Sequence, residues 1–90
     1  MDNKISVPKN AKSRPLCTIA KEIYSDWGSK VYYGAIPYLQ AMLVLNNMDD
    51  MYGCDSADTI VLYFLSNATR WRGNTARRIK AELNNMLKGK

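Results

Sequence analysis

Apolar residues recur at spacings of three and four along four stretches of the chain, which is the pattern of helices that bury one face. The first stretch predicts a helix over residues 15–27, with Ser13 as its cap and Pro15 in its first turn. Gly28 is expected to end it. The apolar stripe of this helix consists of Leu16, Ile19, Ala20, Ile23, Tyr24 and Trp27.

The second stretch predicts a helix over residues 37–52, which Pro37 opens and Gly53 ends. Apolar side chains cover much of its circumference, so we expect it to be the central helix of the fold. These side chains are Tyr38, Leu39, Met42, Leu43, Val44, Leu45 and Met48. A connector, residues 28–36, separates the first two helices.

The third stretch predicts a helix over residues 56–71. Asp55 or Ser56 caps its start, and Asp58 places a carboxylate in the first turn, where it suits the helix dipole. The β-branched run from Thr59 to Val61 is also typical of a strand, but the sequence shows no second strand to pair with it. The buried face of the helix comprises Ile60, Val61, Phe64 and Leu65.

A fourth helix is predicted over residues 75–88, after Gly73 has interrupted the pattern. Asn74 or Thr75 is its expected cap. Its apolar stripe consists of Ile79, Leu83, Met86 and Leu87, so that Arg77, Arg78 and Lys80 face largely outward.

Together these elements predict an all-α fold, a compact bundle of about four helices. We expect a single domain over residues 15–90 and a flexible basic tail over residues 1–14. A chain of this size buries only about 60–65% of its unfolded surface, so a homo-oligomer is expected. No apolar run approaches the roughly 20 residues of a membrane span, and the N-terminal stretch has no apolar core, so neither a membrane contact nor a secretory signal is expected.

Charge is distributed unevenly along the chain, whose formal net charge is +5. Residues 1–14 and 70–90 are strongly basic, whereas residues 15–69 are acidic. An acidic body with two basic ends suits an anionic partner or the association of unlike surfaces. The alternative is that the charge serves solubility alone.

Several catalytic and metal-binding classes are excluded by composition. The chain has no histidine, which removes His-based triads and the common zinc sites. Its glycines are isolated, so no phosphate-cradling loop is present, and Cys17 and Cys54 are expected to be free thiols in a reducing cytoplasm. Four carboxylates could hold a divalent metal, but their spacing favours helix ends and caps: Asp49, Asp50, Asp55 and Asp58. We therefore expect no enzyme activity, no metal and no cofactor.

The densest candidate chemistry surrounds the start of the fourth helix. Arginine forks match phosphate oxygens, and a helix N-terminus offers free amides to the same anion. The tryptophan could stack on a base or pack between the third and fourth helices, and the arginines could bind an anion or pair with the acidic body. Glu82, for example, lies four residues after Arg78 and can pair with it on the same face of the helix. The cluster consists of Arg70, Trp71, Arg72, Asn74, Thr75, Arg77 and Arg78.

A second candidate is the connector carrying Lys30, Tyr32 and Tyr33. Adjacent tyrosines beside a lysine can form a stacking and hydrogen-bonding edge, or one of them can cover the core. The third helix, the Gly73 turn and the basic fourth helix also resemble a helix-turn-helix that would read a DNA groove, although any two helices joined at a glycine do so.

Three segments are similar to a family of small proteins encoded by phages and prophages of Gram-positive bacteria: YYGAIPYLQAM (32–42), DDMYGCDSADTIVLYFLSNATRWRG (49–73) and TARRIKAELN (75–84). The resemblance covers residues 16–88. It implies an accessory protein in the cytoplasm of an infected bacterium, and it supplies no catalytic residues. Such proteins often antagonise host defence by sequestering signalling nucleotides or by blocking a defence protein.

The sequence therefore predicts a non-enzymatic anti-defence protein that binds a phosphate-bearing ligand, preferably a signalling nucleotide, through the arginine, tryptophan and tyrosine residues named above. The first alternative is a DNA- or RNA-binding helical protein. The second is an inhibitor that docks on an acidic host defence protein.

Overall fold

The fold contains four α-helices and one short β-hairpin in a computed structural model that describes residues 14–89. The predicted all-α class and the helix count are confirmed within that range. In chain order the elements are α1 (Leu16–Trp27), α2 (Ile36–Met42), β1 (Met51–Tyr52), β2 (Asp55–Ser56), α3 (Ala57–Ser66) and α4 (Asn74–Lys88), with 3₁₀ turns at Gly28–Lys30 and Tyr33–Ala35. The predicted tail lies outside the described residues except for Arg14, and so does Ser13.

The helices pack in a closed ring, α1 on α2, α2 on α3, α3 on α4 and α4 on α1. The apolar circumference of the second helix had predicted a central position for it. The structure instead places all four helices around one shared core. Fully buried side chains from every helix fill that core, among them Ile19, Leu39, Met42, Phe64, Ile79 and Leu83. None of the helices in residues 14–89 is long and apolar enough to cross a membrane.

The first helix has the predicted end. Gly28 adopts a positive φ of 63°, which favours glycine, and its backbone N–H donates to the carbonyl of Tyr24. Pro15 lies one position outside the helix as the N-cap, where its fixed φ leads directly into the first turn.

The second helix is much shorter than predicted, ending at Met42 instead of residue 52. Its continuation is diverted by tertiary hydrogen bonds, since the carbonyls of Leu45 and Asn46 accept from the first backbone amides of α1 at 2.9 Å each. The Asp50 carboxylate also accepts from the amides of Asn46 and Asn47, at 2.7 and 3.2 Å. Side-chain acceptors of this kind compete with helical hydrogen bonds, so the chain turns here although Leu45 remains buried.

A β-hairpin occupies the predicted end of that helix. Met51 pairs with Ser56 and Tyr52 with Asp55 in antiparallel register. Gly53 was expected to end a helix, but with a φ of 63° it opens the two-residue hairpin loop instead. Cys54 follows it, exposed and unbridged, and Cys17 is likewise a free thiol, as predicted.

The third and fourth helices have the predicted type with different ends. The Thr59–Val61 run is helical, but α3 stops at Ser66, and the side-chain amide of the next residue, Asn67, donates to the carbonyl of Tyr63 at 2.8 Å. No side chain caps α3, since the hydroxyl of Ser56 bonds to Asp58 and Thr59. The predicted caps of the fourth helix are also wrong.

The N-cap of α4 is Gly73, with a φ of 112°, and it provides no side-chain hydrogen bond. Asn74 is already the first helical residue, and its side-chain oxygen accepts from Arg77 at 3.1 Å instead of from the backbone. A positive φ of this size suits glycine, so the chain reverses into α4 at Gly73 and not at a polar cap.

Candidate functional site

A cleft of about 530 Å³ lies where the end of α1 meets the turn between α3 and α4. We call it the tryptophan cleft. Six residues line it: Asp26, Trp27, Lys30, Arg70, Trp71 and Arg72. The structure therefore brings together one residue of the predicted tyrosine connector and three of the predicted arginine cluster.

Trp71 forms the floor of the cleft and is only 2% exposed. Its ring stacks on Trp27, with centroids 5.7 Å apart and planes 15° apart, and Phe64 meets it edge-on at 6.3 Å. Its indole N–H donates to the Asp26 carboxylate at 2.8 Å. The expectation that Trp71 packs between helices is confirmed, and the alternative of a base stacked on Trp71 is wrong, because other side chains already cover the ring.

Positive charge surrounds this floor. Lys30, Arg70 and Arg72 are exposed, and none of the three forms a salt bridge within residues 14–89. Cations that have no carboxylate partner among the described residues, at the rim of a concave surface, are available to an anionic ligand.

Lys80, which the sequence pattern had placed facing outward, does not line the cleft but contacts Trp71. It is half-buried, and its ammonium donates to the carbonyl of Trp71 at 2.6 Å while lying 5.9 Å from the centre of the indole ring. Burial lowers the pKa of Lys80, and the positive charge of Arg72 lowers it further.

Asp26 is the one carboxylate among the residues that line the cleft. Sequence reasoning missed it, as it missed Trp27 and Lys80. Its position immediately before the last residue of α1 was visible in the sequence, but its pairing with an indole 45 positions away was not.

The tyrosine connector divides into a packed ring and an open ring. Tyr32 is half-buried against the core, and the guanidinium of Arg70 lies 5.1 Å from the centre of its ring. Tyr33 is 77% exposed, with its ring centre 4.8 Å from that of Tyr32. Tyr32 therefore covers the core, which is one of the two alternatives that the sequence left open for these tyrosines. Tyr33 remains exposed beside Tyr32 and the Arg70 guanidinium.

Gly34 lets Tyr32 approach the backbone this closely. A Cβ at position 34 would lie 2.6 Å from a ring carbon of Tyr32 and 2.9 Å from the side-chain oxygen of Asn67. Both distances are shorter than van der Waals contact, so any larger residue would displace the ring on which Arg70 lies.

Six of the predicted residues do not line the cleft: Tyr32, Tyr33, Asn74, Thr75, Arg77 and Arg78. Arg77 is exposed and bonds to Asn74, and Thr75 is half-buried. Arg78 pairs with Glu22 on α1, not with Glu82 as its spacing had suggested.

The ion pair of Arg78 with Glu22 belongs to a network that joins α1, α4 and Arg14. Arg14 bonds to Glu22 at 2.7 Å and to both carboxylate oxygens of Glu82, at 3.0 and 2.8 Å. The hydrogen bond from Arg14, and then the one from Arg78, lowers the pKa of Glu22. The largest influence on Arg14 is Glu82, which raises the pKa of that guanidinium. Arg78 therefore joins helices and does not extend the cleft.

The four aspartates considered as metal ligands do not form a site in the part of the chain that the structure describes. No group of three or more Cys, Asp or Glu residues there is arranged to hold a metal ion. Asp50 instead accepts backbone hydrogen bonds in the turn after α2.

No protein-family model matches this sequence, and neither a curated protein nor a solved structure matches the chain. The ligand proposed for the cleft is therefore argued from the chain's own residues.

Proposed function

We propose that the tryptophan cleft binds a phosphate-bearing ligand and that the protein acts without catalysis. The observation that carries this proposal is the group of exposed cations around the cleft, Lys30, Arg70 and Arg72, none of which has a carboxylate partner within residues 14–89. Guanidinium groups bind phosphate oxygens in bidentate fashion, and a concave wall strengthens the local positive potential.

A nucleotide suits the aromatic and carboxylate groups in and beside the cleft. The exposed ring of Tyr33 lies next to the ring on which Arg70 rests, so a base can stack there while its phosphates meet the cations. The second oxygen of Asp26 can accept from a ribose hydroxyl. In this proposal the base of the nucleotide does not stack on Trp71, which is buried and packs against Trp27 and Phe64 beneath the cleft.

The biological role that we propose follows from the resemblance to small phage proteins. A small binding protein made in the cytoplasm of an infected bacterium can antagonise host defence by sequestering a signalling nucleotide. We also propose a homo-oligomer, because a chain of this size buries a limited share of its surface when it folds alone.

Isothermal titration calorimetry of the full chain against a panel of cyclic and linear nucleotides tests this proposal. We expect Arg72→Gln and Arg70→Gln to weaken binding about tenfold each, the loss of one charge-assisted hydrogen-bonding group. Arg77→Gln is the matched control, because Arg77 is equally classed as exposed but lies outside the cleft. An absence of heat with every nucleotide at millimolar concentration would exclude the sequestration role.

Nucleic-acid binding is the second candidate, and the surface of α4 favours it. Arg77 and Lys88 are exposed and lie about three turns apart, on the same side of the helix, so positive charge continues beyond the cleft. A mobility-shift titration separates the two candidates. Nucleic-acid affinity should fall steeply with salt as counterions are released, and Arg77→Gln should then weaken binding as much as Arg72→Gln.

A further inference from the structure

A second groove, made of different residues, lies where α2, α3 and the β-hairpin meet. It encloses about 230 Å³, and we call it the tyrosine groove after Tyr38, Tyr52 and Tyr63. Pro37, Ala41 and Ile60 provide its apolar surface, and Asp55 is the one charged residue that lines it. No residue of the tryptophan cleft contributes to it.

The aromatic rings of this groove are open to solvent. Tyr63 is 52% exposed and Tyr52 46% exposed. The rings of Tyr38 and Tyr63 lie 5.6 Å apart with their planes inclined by 51°, so they form a ridged surface and not a flat stack. Single exposed apolar side chains scattered over a surface are ordinary, whereas several aromatic side chains gathered in one concavity are typical of a binding surface.

Charge gives the occupant of the groove its sign. Residues 31–69, which supply every element around the groove, contain four aspartates and neither lysine nor arginine. Asp55 lines the groove and forms no salt bridge within residues 14–89. Its carboxylate therefore favours a cationic occupant. An anionic ligand of the kind proposed for the tryptophan cleft would be repelled here.

We propose that the tyrosine groove binds an extended, cationic, proline-containing segment of a partner protein. Aromatic-lined grooves take proline-rich segments because their polyproline II conformation is already formed and fits between ridged rings. That conformation leaves its carbonyls without internal hydrogen bonds, and tyrosine hydroxyls can donate to them. A lysine or arginine of the segment pairs with Asp55. The groove is too small to accept the face of a long helix.

The test is fluorescence anisotropy with the full chain and a labelled synthetic peptide of about ten residues that carries two prolines and three arginines. We expect saturable binding that Tyr63→Ala weakens about tenfold, as for one central aromatic contact. Leu62→Ala is the matched control, because Leu62 lies on the same helix, is also 52% exposed and does not line the groove. Tyr63→Phe keeps the ring and should retain most of the affinity.

Two protein variants and one altered peptide test the chemistry of the occupant. Asp55→Asn should weaken binding about threefold at low salt, and this difference should vanish at high salt, where exposed charges are screened. Replacing both peptide prolines by alanine should weaken binding about tenfold. Arg72→Gln should leave peptide affinity unchanged, so the result does not depend on the function proposed for the tryptophan cleft.

Three outcomes would overturn the proposal. The first is an absence of saturable binding by a protein whose circular dichroism shows a folded helical chain. The second is equal affinity for the proline and alanine peptides. The third is a dimer, seen by analytical ultracentrifugation, that Tyr63→Ala dissociates and Leu62→Ala does not, because the occupant would then be a second copy of this chain.

Discussion

The indole N–H of Trp71 donates to the Asp26 carboxylate at 2.8 Å, joining the end of α1 to the turn before α4. This bond orients the buried ring that forms the floor of the tryptophan cleft, and it also places a negative charge among the cations of the rim. We therefore expect Asp26 to stabilise the fold and to oppose the binding of the anion proposed for the cleft.

Replacing Asp26 separates these effects. Asp26→Ala leaves the indole N–H without its acceptor and should lower the free energy of unfolding by about 1 kcal/mol, measured by urea titration. Asp26→Asn keeps an acceptor oxygen, so it should be less destabilising, and since it removes the negative charge it should tighten the binding of inorganic phosphate. Weaker phosphate binding by Asp26→Asn would mean that the carboxylate contacts the ligand directly.

Acid should weaken the contact between α1 and α4. The pKa of Glu22 is lowered by Arg14 and by Arg78, so the folded state holds this carboxylate ionised to a lower pH than the unfolded state does. The resulting stabilisation is present above the ordinary carboxyl pKa of about 4.3 and is lost as the pH falls through the lowered value. Glu22 and Arg14 are about one-third exposed and Arg78 is about half exposed, so solvent screens these pairs and we expect a contribution of about 0.5 kcal/mol.

The measurement is the difference in unfolding free energy between the unaltered chain and Glu22→Gln from pH 7 to pH 2. The difference should shrink toward zero as the pH falls. Asp55→Asn is the control, because Asp55 forms no salt bridge in residues 14–89. A difference for Glu22→Gln that stays constant with pH would show that the side chain acts through packing alone.

The helices could be predicted wherever local chemistry determines their ends. Pro15 and Gly28 bracket α1, and the apolar stripe of α4 was visible because residues of the same face recur along three turns. The end of α2 could not be predicted, because it depends on carbonyls of Leu45 and Asn46 that accept from the distant start of α1. Periodicity describes the burial of Leu45 correctly and its conformation wrongly.

The candidate site was predictable in part for the same reason. Arg70, Trp71 and Arg72 are neighbours in sequence, so their cluster was evident, and Lys30 was found through its adjacent tyrosines. Lys80 was missed because its contact with the Trp71 carbonyl requires α4 to fold back across the turn. Arg78 was included because sequence spacing does not reveal Glu22 on another helix.

The turn after α2 can be tested through Asp50. Its carboxylate accepts from the amides of Asn46 and Asn47, so Asp50→Ala should lower the free energy of unfolding by about 1–2 kcal/mol. Asp50→Asn keeps one acceptor oxygen and should recover part of the loss. Chemical denaturation of the three proteins measures this, and equal stability of all three would show that the Leu45 and Asn46 carbonyls maintain the turn by themselves.

Gly34 links the fold to the cationic rim. Gly34→Ala would place a Cβ 2.6 Å from the Tyr32 ring and 2.9 Å from the Asn67 side chain, so both must move. We expect a loss of about 1–3 kcal/mol in the free energy of unfolding, typical of an overpacked site. Because Arg70 rests on Tyr32, the affinity for a phosphate-bearing ligand should fall as well.

Ser29→Ala, at an exposed position of the same connector, is the control and should change neither quantity. If Gly34→Ala destabilises the fold while nucleotide affinity is unchanged, the position of Tyr32 does not govern the Arg70 side of the cleft.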